Sequence, residues 1–167
     1  MSMRVGVLSD THGKLPVAAY AELADCDHIL HAGDICDPGI LDELRTLAPV
    51  TAVLGNNDYP EYGEAVREEA LFDLEGVRFL MTHTPRDLHT ALRNRKGAAA
   101  PGQKMVDVAI HGHTHVPELL TGEEAAPAGI ILCPGSVSRP RGGSKPQVVK
   151  LTLSEGTVED ISFVELH

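Results

Sequence analysis

Val5-Gly6-Val7-Leu8-Ser9-Asp10-Thr11-His12-Gly13 is an apolar run that stops abruptly at a carboxylate, with an imidazole two residues later. A buried strand ending in Asp10, with His12 just past its edge, puts a hard oxygen and a borderline nitrogen at one sheet end. Other apolar runs close the same way. Ile29-Leu30-His31-Ala32-Gly33-Asp34 ends in an aspartate, and Val50 to Asp58 ends in Gly55-Asn56-Asn57-Asp58. Val77 to Thr82 runs into His83, and Val106 to Ile110 into His111-Gly112-His113-Thr114-His115. Open α/β sheets carry their chemistry at the carboxyl ends of strands, so these endings are expected to converge.

Between the first three runs lie two segments of helical period, one from Pro16 to Asp25 and one from Pro38 to Leu47. In the first, Val17, Tyr20, Ala21 and Ala24 form the expected inward stripe; in the second, Ile40, Leu41, Leu44 and Leu47 do so. The first sixty residues therefore read β-α-β-α-β, a parallel sheet with helical crossovers. The remainder is strand-rich. Hairpins are expected through Glu75-Gly76 and Glu155-Gly156, a basic helix over Asp87 to Lys96, and a loop from Gly97 to Gly102. Further strands are expected over Val106–Ile110, around Leu119-Leu120 and over Ile130–Cys133. So many strands do not fit one flat sheet. The expected fold class is α/β, with two mixed sheets packed face to face as a sandwich and helices on the outer faces.

The 167 residues are expected to form a single domain spanning 1–167, with a core of ordinary size. A formal net charge of -10 argues against a nucleic acid polymer as partner, because such binding needs a basic face. No apolar run approaches the ~20 residues that span a bilayer, so no membrane partner is expected. The N-terminus enters a strand pattern directly, without a signal-sequence pattern. Cys26, Cys36 and Cys133 form no CxxC pair and read as reduced thiols, so a cytoplasmic location is expected.

In their order along the chain, Asp10-x-His12, Gly33-Asp34, Gly55-Asn56-x-Asp58, His83 and Gly112-His113-Thr114-His115 resemble the calcineurin-like metallophosphoesterases. Pro134-Gly135-Ser136 extends the likeness to the small bacterial and archaeal phosphodiesterase branch. The resemblance implies that Asp10, His12, Asp34 and His115 hold one metal, and Asp34, Asn56, His83 and His113 the other. The mixed Asp, Asn and His set suits two divalent transition metal ions, manganese first, with nickel, iron, cobalt or zinc as alternatives. The implied activity is hydrolysis of phosphodiesters by a hydroxide that a dinuclear metal site activates, on a small phosphate-ester substrate.

Asn56, Asn57 and Asp58 are the residues this resemblance places nearest the chemistry. Many members have a His at the position of Asn57, paired with the following acid, to serve the leaving group. An amide donates a hydrogen bond but does not transfer a proton near neutral pH, so acidic leaving groups should be preferred. A second departure is Thr84-Pro85, where Gly-His is common. His31 is read as orienting a ligand, His111 as a core or supporting residue, and His28, His89 and His167 as solvated. Arg139 and Arg141 either clamp a phosphate or form a solvated loop.

Two other readings stay open. One is a phosphomonoesterase on the same site. The other is a protein-interaction scaffold like the retromer subunit of this superfamily, with Tyr59, Tyr62 and Leu71 as partner surface. A homodimer or higher homo-oligomer is also open.

Overall fold

A computed structural model describes residues 2–96 and 105–167, so the loop expected over Gly97 to Gly102 lies outside the described residues. In chain order the elements are β1 (Ser2–Leu8), α1 (Val17–Glu22), β2 (His28–His31), α2 (Pro38–Arg45) and β3 (Val50–Ala52). Then follow β4 (Glu69–Leu74), β5 (Val77–Thr82), α3 (Pro85–Lys96), β6 (Val106–Ile110), β7 (Pro117–Thr121), β8 (Ala128–Pro134), β9 (Gln147–Ser154) and β10 (Thr157–Glu165). Two five-stranded mixed sheets result, ordered β10-β9-β1-β2-β3 and β4-β5-β6-β8-β7. The expected α/β sandwich is the observed architecture.

In the first sheet β1, β2 and β3 run parallel, and β9 and β10 join antiparallel at β1. In the second, β5, β6 and β8 are parallel, with antiparallel β4 and β7 at the edges. Period-two alternation sets the layers. Val5, Val7, Val77, Phe79, Met81, Val108, Ile110, Leu132, Val149 and Leu151 fill the space between the sheets. Leu8, Ile29, Leu23, Ile40, Leu41 and Leu44 pack α1 and α2 on the outer face of the first sheet. Leu80, Ala109 and Ile131 meet Leu88, Ala91 and Leu92 of α3 outside the second.

The two hairpin turns meet at the far end of the sandwich, where the Gly156 N–H donates to the Glu75 carbonyl at 2.9 Å. This bond ties one sheet to the other away from the carboxyl ends of the parallel strands.

Two local expectations change. The face of α1 that goes inward carries Ala19, continued by Leu23 in the following 3-10 turn (Leu23–Asp25), whereas Val17 is 85% exposed and Ala21 and Ala24 are exposed. The helix has only six residues, and Gly6 of β1 has no side chain, which leaves the groove that Leu23 occupies. The third strand, which the apolar run places over Thr51 to Leu54, covers Val50–Ala52 instead, and Val53 makes a single bridge to Arg67.

Candidate active site

Every loop that leaves a parallel strand at one end of the sandwich contributes to a single cleft. Asp10 and His12 follow β1, Asp34 follows β2, Asn56 to Asp58 follow β3, His83 follows β5, and His113 and His115 follow β6. Asp10, Asp34, His83 and His115 are 3% exposed or less. Asp10, His12, Asp34, Cys36, His113 and His115 all adopt positive φ, between 46° and 71°. Left-handed backbone at a non-glycine residue costs about 1–3 kcal/mol and persists where the surroundings over-determine it, most often at functional sites. Among the described residues only Glu75 and Glu155, both before a turn glycine, share it.

Two groups of three side chains can each present one ligand atom to a common point: Asp10, His12 and His115, and Asp34, His83 and His113. The Nε2 atoms of His12 and His115 lie 3.2 Å apart. Asp10 Oδ1 is 3.2 Å from His115 Nε2, 3.8 Å from His12 Nε2 and 3.7 Å from His83 Nε2. Asp34 Oδ2 is 3.3 Å from His83 Nε2 and 3.5 Å from His12 Nε2. Each carboxylate therefore faces imidazoles of both groups. Asn56 stands at the exposed margin, its Oδ1 3.1 Å from His113 Nδ1.

Backbone carbonyls set the imidazole tautomers. His83 Nδ1–H donates to the Ala32 carbonyl at 2.6 Å, and His115 Nδ1–H to the Arg139 carbonyl at 2.6 Å. Each neutral ring then turns an Nε2 lone pair into the cleft. Asp10 is divided in the same way. Its Oδ2 accepts from Ser9 Oγ at 2.6 Å and from the His113 N–H at 3.0 Å, while Oδ1 is left over. Buried Asp10 Oδ1 and His83 Nε2 have no hydrogen-bond partner among the described residues. Two acceptors facing each other without a donor are costly in a protein interior, and a cation between them satisfies both. The donor set, two carboxylates, imidazoles and an amide, fits a divalent transition metal.

Burial alone would raise the Asp34 carboxyl, but His83 and the backbone and side-chain N–H groups of Asn57 hold it well below the usual carboxylate range. Burial lowers His12 despite Asp34 and Asp10. For His83 the balance goes the other way: burial opposes its charge, and Asp34, Asp10 and the Ala32 carbonyl together keep it above its ordinary value.

Asn57 and Asp58 occupy unexpected stations. The Asn57 backbone N–H donates to Asp34 Oδ1 and its Nδ2 to Asp34 Oδ2, both at 2.9 Å, so the amide grips a carboxylate. Asp58 does not pair with Asn57. Its carboxylate accepts from the N–H groups of Ile35 (3.1 Å), Cys36 (2.8 Å) and Gly55 (2.9 Å) and from the Tyr62 hydroxyl (3.0 Å). Tyr62 thus faces this loop, while Tyr59 is 72% and Leu71 47% exposed. Thr84-Pro85 opens α3: the Asp87 N–H donates to Thr84 Oγ1 at 3.0 Å.

His113 and His115 do not alternate along an extended strand, as their spacing suggests. β6 ends at Ile110, and left-handed turns at both send them to different groups. His111 belongs to neither. It is buried, donates Nδ1–H to the Gly112 carbonyl at 2.9 Å and meets Glu118 at 3.3 Å. His31 is fully buried, and burial pulls its pKa down to about 3. It accepts the Gly33 N–H at Nδ1 and donates from Nε2 to Thr11 Oγ1, each at 3.1 Å. His89 and His167 are exposed, whereas half-buried His28 bonds Thr51 Oγ1 at 2.9 Å.

Sequence reading missed the serines. Ser136 Oγ donates to the Asp10 carbonyl at 2.8 Å, and Ser138 Oγ to the Thr11 carbonyl at 2.8 Å. The turn after β8 thereby locks the turn after β1. Their only signal in the sequence is the Pro-Gly-Ser turn.

A family model for the calcineurin-like phosphoesterase superfamily domain matches residues 3–156. The chain belongs to this superfamily. A probable metallophosphoesterase of Methanothermobacter thermautotrophicus is 38% identical over 148 residues, covering 83% of this chain and 80% of that protein. A phosphodiesterase of Methanocaldococcus jannaschii is 27% identical over 129 residues, 68% of this chain and 74% of that one. Among solved structures, a single mutant of Vps29 from Entamoeba histolytica shares the fold, with TM-score 0.71 and 21% identity, covering 99% of this chain and 100% of that one. As a member of this superfamily the chain is a phosphoesterase-type hydrolase domain with a metal-binding cleft. Among the described residues no helix is long and apolar enough to cross a membrane.

Proposed function

We propose that this protein is a cytoplasmic metal-dependent phosphodiesterase, the chain acting as one catalytic unit on a small phosphate-ester substrate. Asp10, His12 and His115 would hold one divalent transition metal ion, manganese first, and Asp34, His83, His113 and Asn56 a second. Asp34 faces both groups. The observation that carries this reading is the buried pair Asp10 Oδ1 and His83 Nε2, 3.7 Å apart and without a donor between them.

Bound there, such ions supply Lewis-acid charge, which stabilises the oxygens of an in-line displacement at phosphorus and makes water acidic enough to act near neutral pH. The remaining work belongs to the chain. The Ala32 and Arg139 carbonyls keep His83 and His115 in the tautomer that presents Nε2. Asn57 holds both oxygens of Asp34 in place. Position 57 offers no proton-transferring group, so an alkoxide leaves unaided while a phenolate leaves readily.

The scaffold reading rests on the fold shared with Vps29 and on exposed Tyr59 and Leu71. The donorless buried pair favours the hydrolase, because a scaffold has no use for it. A manganese-supplemented panel of phosphate mono- and diesters, with metal content measured on the purified protein, tests the choice. Aryl diesters should be cleaved faster than aryl monoesters, and Asp34→Ala should lose both metal and turnover. Stoichiometric metal without turnover of any ester would favour the scaffold.

A further inference from the structure

Several positive charges of the described residues are already paired. Arg4, Arg45, Arg78 and Lys150 each meet a carboxylate, and Arg67 donates to the Glu64 carbonyl. Arg139 is placed differently. Its backbone N–H donates to Ser136 Oγ at 2.8 Å, and its carbonyl accepts His115 Nδ1–H at 2.6 Å. Ser136 in turn bonds the Asp10 carbonyl. The residue is therefore fixed on both sides to residues of the cleft. Its side chain is exposed, and among the described residues its guanidinium makes no hydrogen bond or ion pair. The same turn lies against the β1 loop, where Ser138 Oγ donates to the Thr11 carbonyl at 2.8 Å, so Arg139 stands at the edge of the cleft.

We propose that Arg139 is a specificity residue that binds a second anionic group of the substrate, carried on the part that stays attached to phosphorus. This rests on the phosphodiesterase reading above. Depth separates the two tasks. The scissile phosphate belongs on the cleft floor, against Asp10, Asp34, His83 and His115, all 3% exposed or less. A guanidinium on the rim reaches the next group outward, and its planar fork matches a phosphate with two parallel N–H bonds. The chain carries a net charge of -10, so a doubly anionic ester approaches against the overall field and gains from a cation at the mouth. The favoured substrate class is a phosphodiester bearing a further phosphate, such as a nucleoside diester with a second phosphate on the sugar.

The test compares two esters with one leaving group: thymidine 5′-(p-nitrophenyl phosphate) and the same ester carrying a 3′-phosphate. With manganese present, the wild-type protein should favour the 3′-phosphorylated ester, by the ratio of kcat/KM. Arg139→Gln should lower that ratio about tenfold, the size expected for one charged hydrogen-bonding contact, and mainly through KM. Arg139→Lys, which keeps the charge without the fork, should fall between. Calorimetry provides a second readout: Arg139→Gln should weaken binding of thymidine 3′,5′-bisphosphate about tenfold more than binding of thymidine 5′-monophosphate. An unchanged ratio in both assays overturns the assignment, whether both ligands suffer alike or neither does. If the wild-type protein cleaves neither ester, the phosphodiesterase reading fails, and calorimetry alone decides the role of Arg139.

Discussion

His12 and His115, 103 residues apart in the chain, bring their Nε2 atoms to 3.2 Å from each other. His115 has already given its Nδ1 hydrogen to Arg139, so its Nε2 offers a lone pair. Among the described residues His12 Nδ1 meets no carbonyl, and the Cys36 sulfur lies 3.9 Å from it. Burial lowers the His12 pKa despite Asp34 and Asp10, and Asp10 Oδ1 closes the third side, 3.2 Å from His115 Nε2 and 3.8 Å from His12 Nε2. Asp10, His12 and His115 can thus present one ligand atom each to a common cation.

The Asn57 side chain supports Asp34 and has no part in proton transfer. Asn57→Ala removes the Nδ2 bond while the backbone N–H stays. Manganese affinity, measured by calorimetry, should fall about tenfold, in line with the loss of an outer support to a metal ligand. In a series of aryl and alkyl diesters, the wild-type rate should drop steeply as leaving-group pKa rises, and Asn57→His should flatten that slope. A wild-type slope that is already flat would remove Asn57 from this account.

Asp58 is a staple between the β2 and β3 loops. With three backbone N–H groups and a tyrosine hydroxyl on one carboxylate, Asp58→Ala strands several donors and should destabilise the fold by about 3 kcal/mol in urea unfolding. Tyr62→Phe removes a single partner and should cost about 1 kcal/mol. Neither variant that still folds should alter the leaving-group slope. A changed slope with unchanged stability would make Asp58 part of the chemistry.

His31 makes the fold acid-sensitive. Its folded pKa, about 3, lies below the ordinary 6.5, so below pH 6.5 the unfolded chain binds a proton that the native chain does not. Stability must then fall as pH falls from about 6.5 toward 3, by roughly 4–5 kcal/mol from this group over the whole window. Asp34, held below its usual range, adds a loss in the same direction at the acid end. His31→Gln keeps a donor for Thr11 and cannot be protonated, so its urea midpoint, followed in chelator from pH 7 to 4, should decline less steeply than that of the wild-type protein. Parallel curves would show that the imidazole is not the source.

The sequence disclosed the sandwich because alternation and helical period survive in short windows: Val77, Phe79 and Met81 facing one way and Leu80 the other is a local fact. It pointed to the candidate cleft because Asp10, Asp34 and His83 each close an apolar run. What it hid depends on backbone conformation and on long-range bonds. The left-handed turns at His113 and His115 overrule the strand parity that their spacing suggests. The inward face of α1 is decided by a gap over Gly6, far away in sequence. The attachment of Asp58 to Ile35 and Cys36, and of Ser136 to Asp10, joins segments 22 to 126 residues apart, and no local pattern encodes it.

Anomalous scattering from crystals soaked in manganese decides whether the cleft seats a pair of ions. Two peaks are expected in the cleft, one against Asp10, His12 and His115 and one against Asp34, His83 and His113. Asp10 Oδ1 and His83 Nε2 should both be among the ligands. A cleft without a peak, with those two atoms still facing each other, would contradict the account.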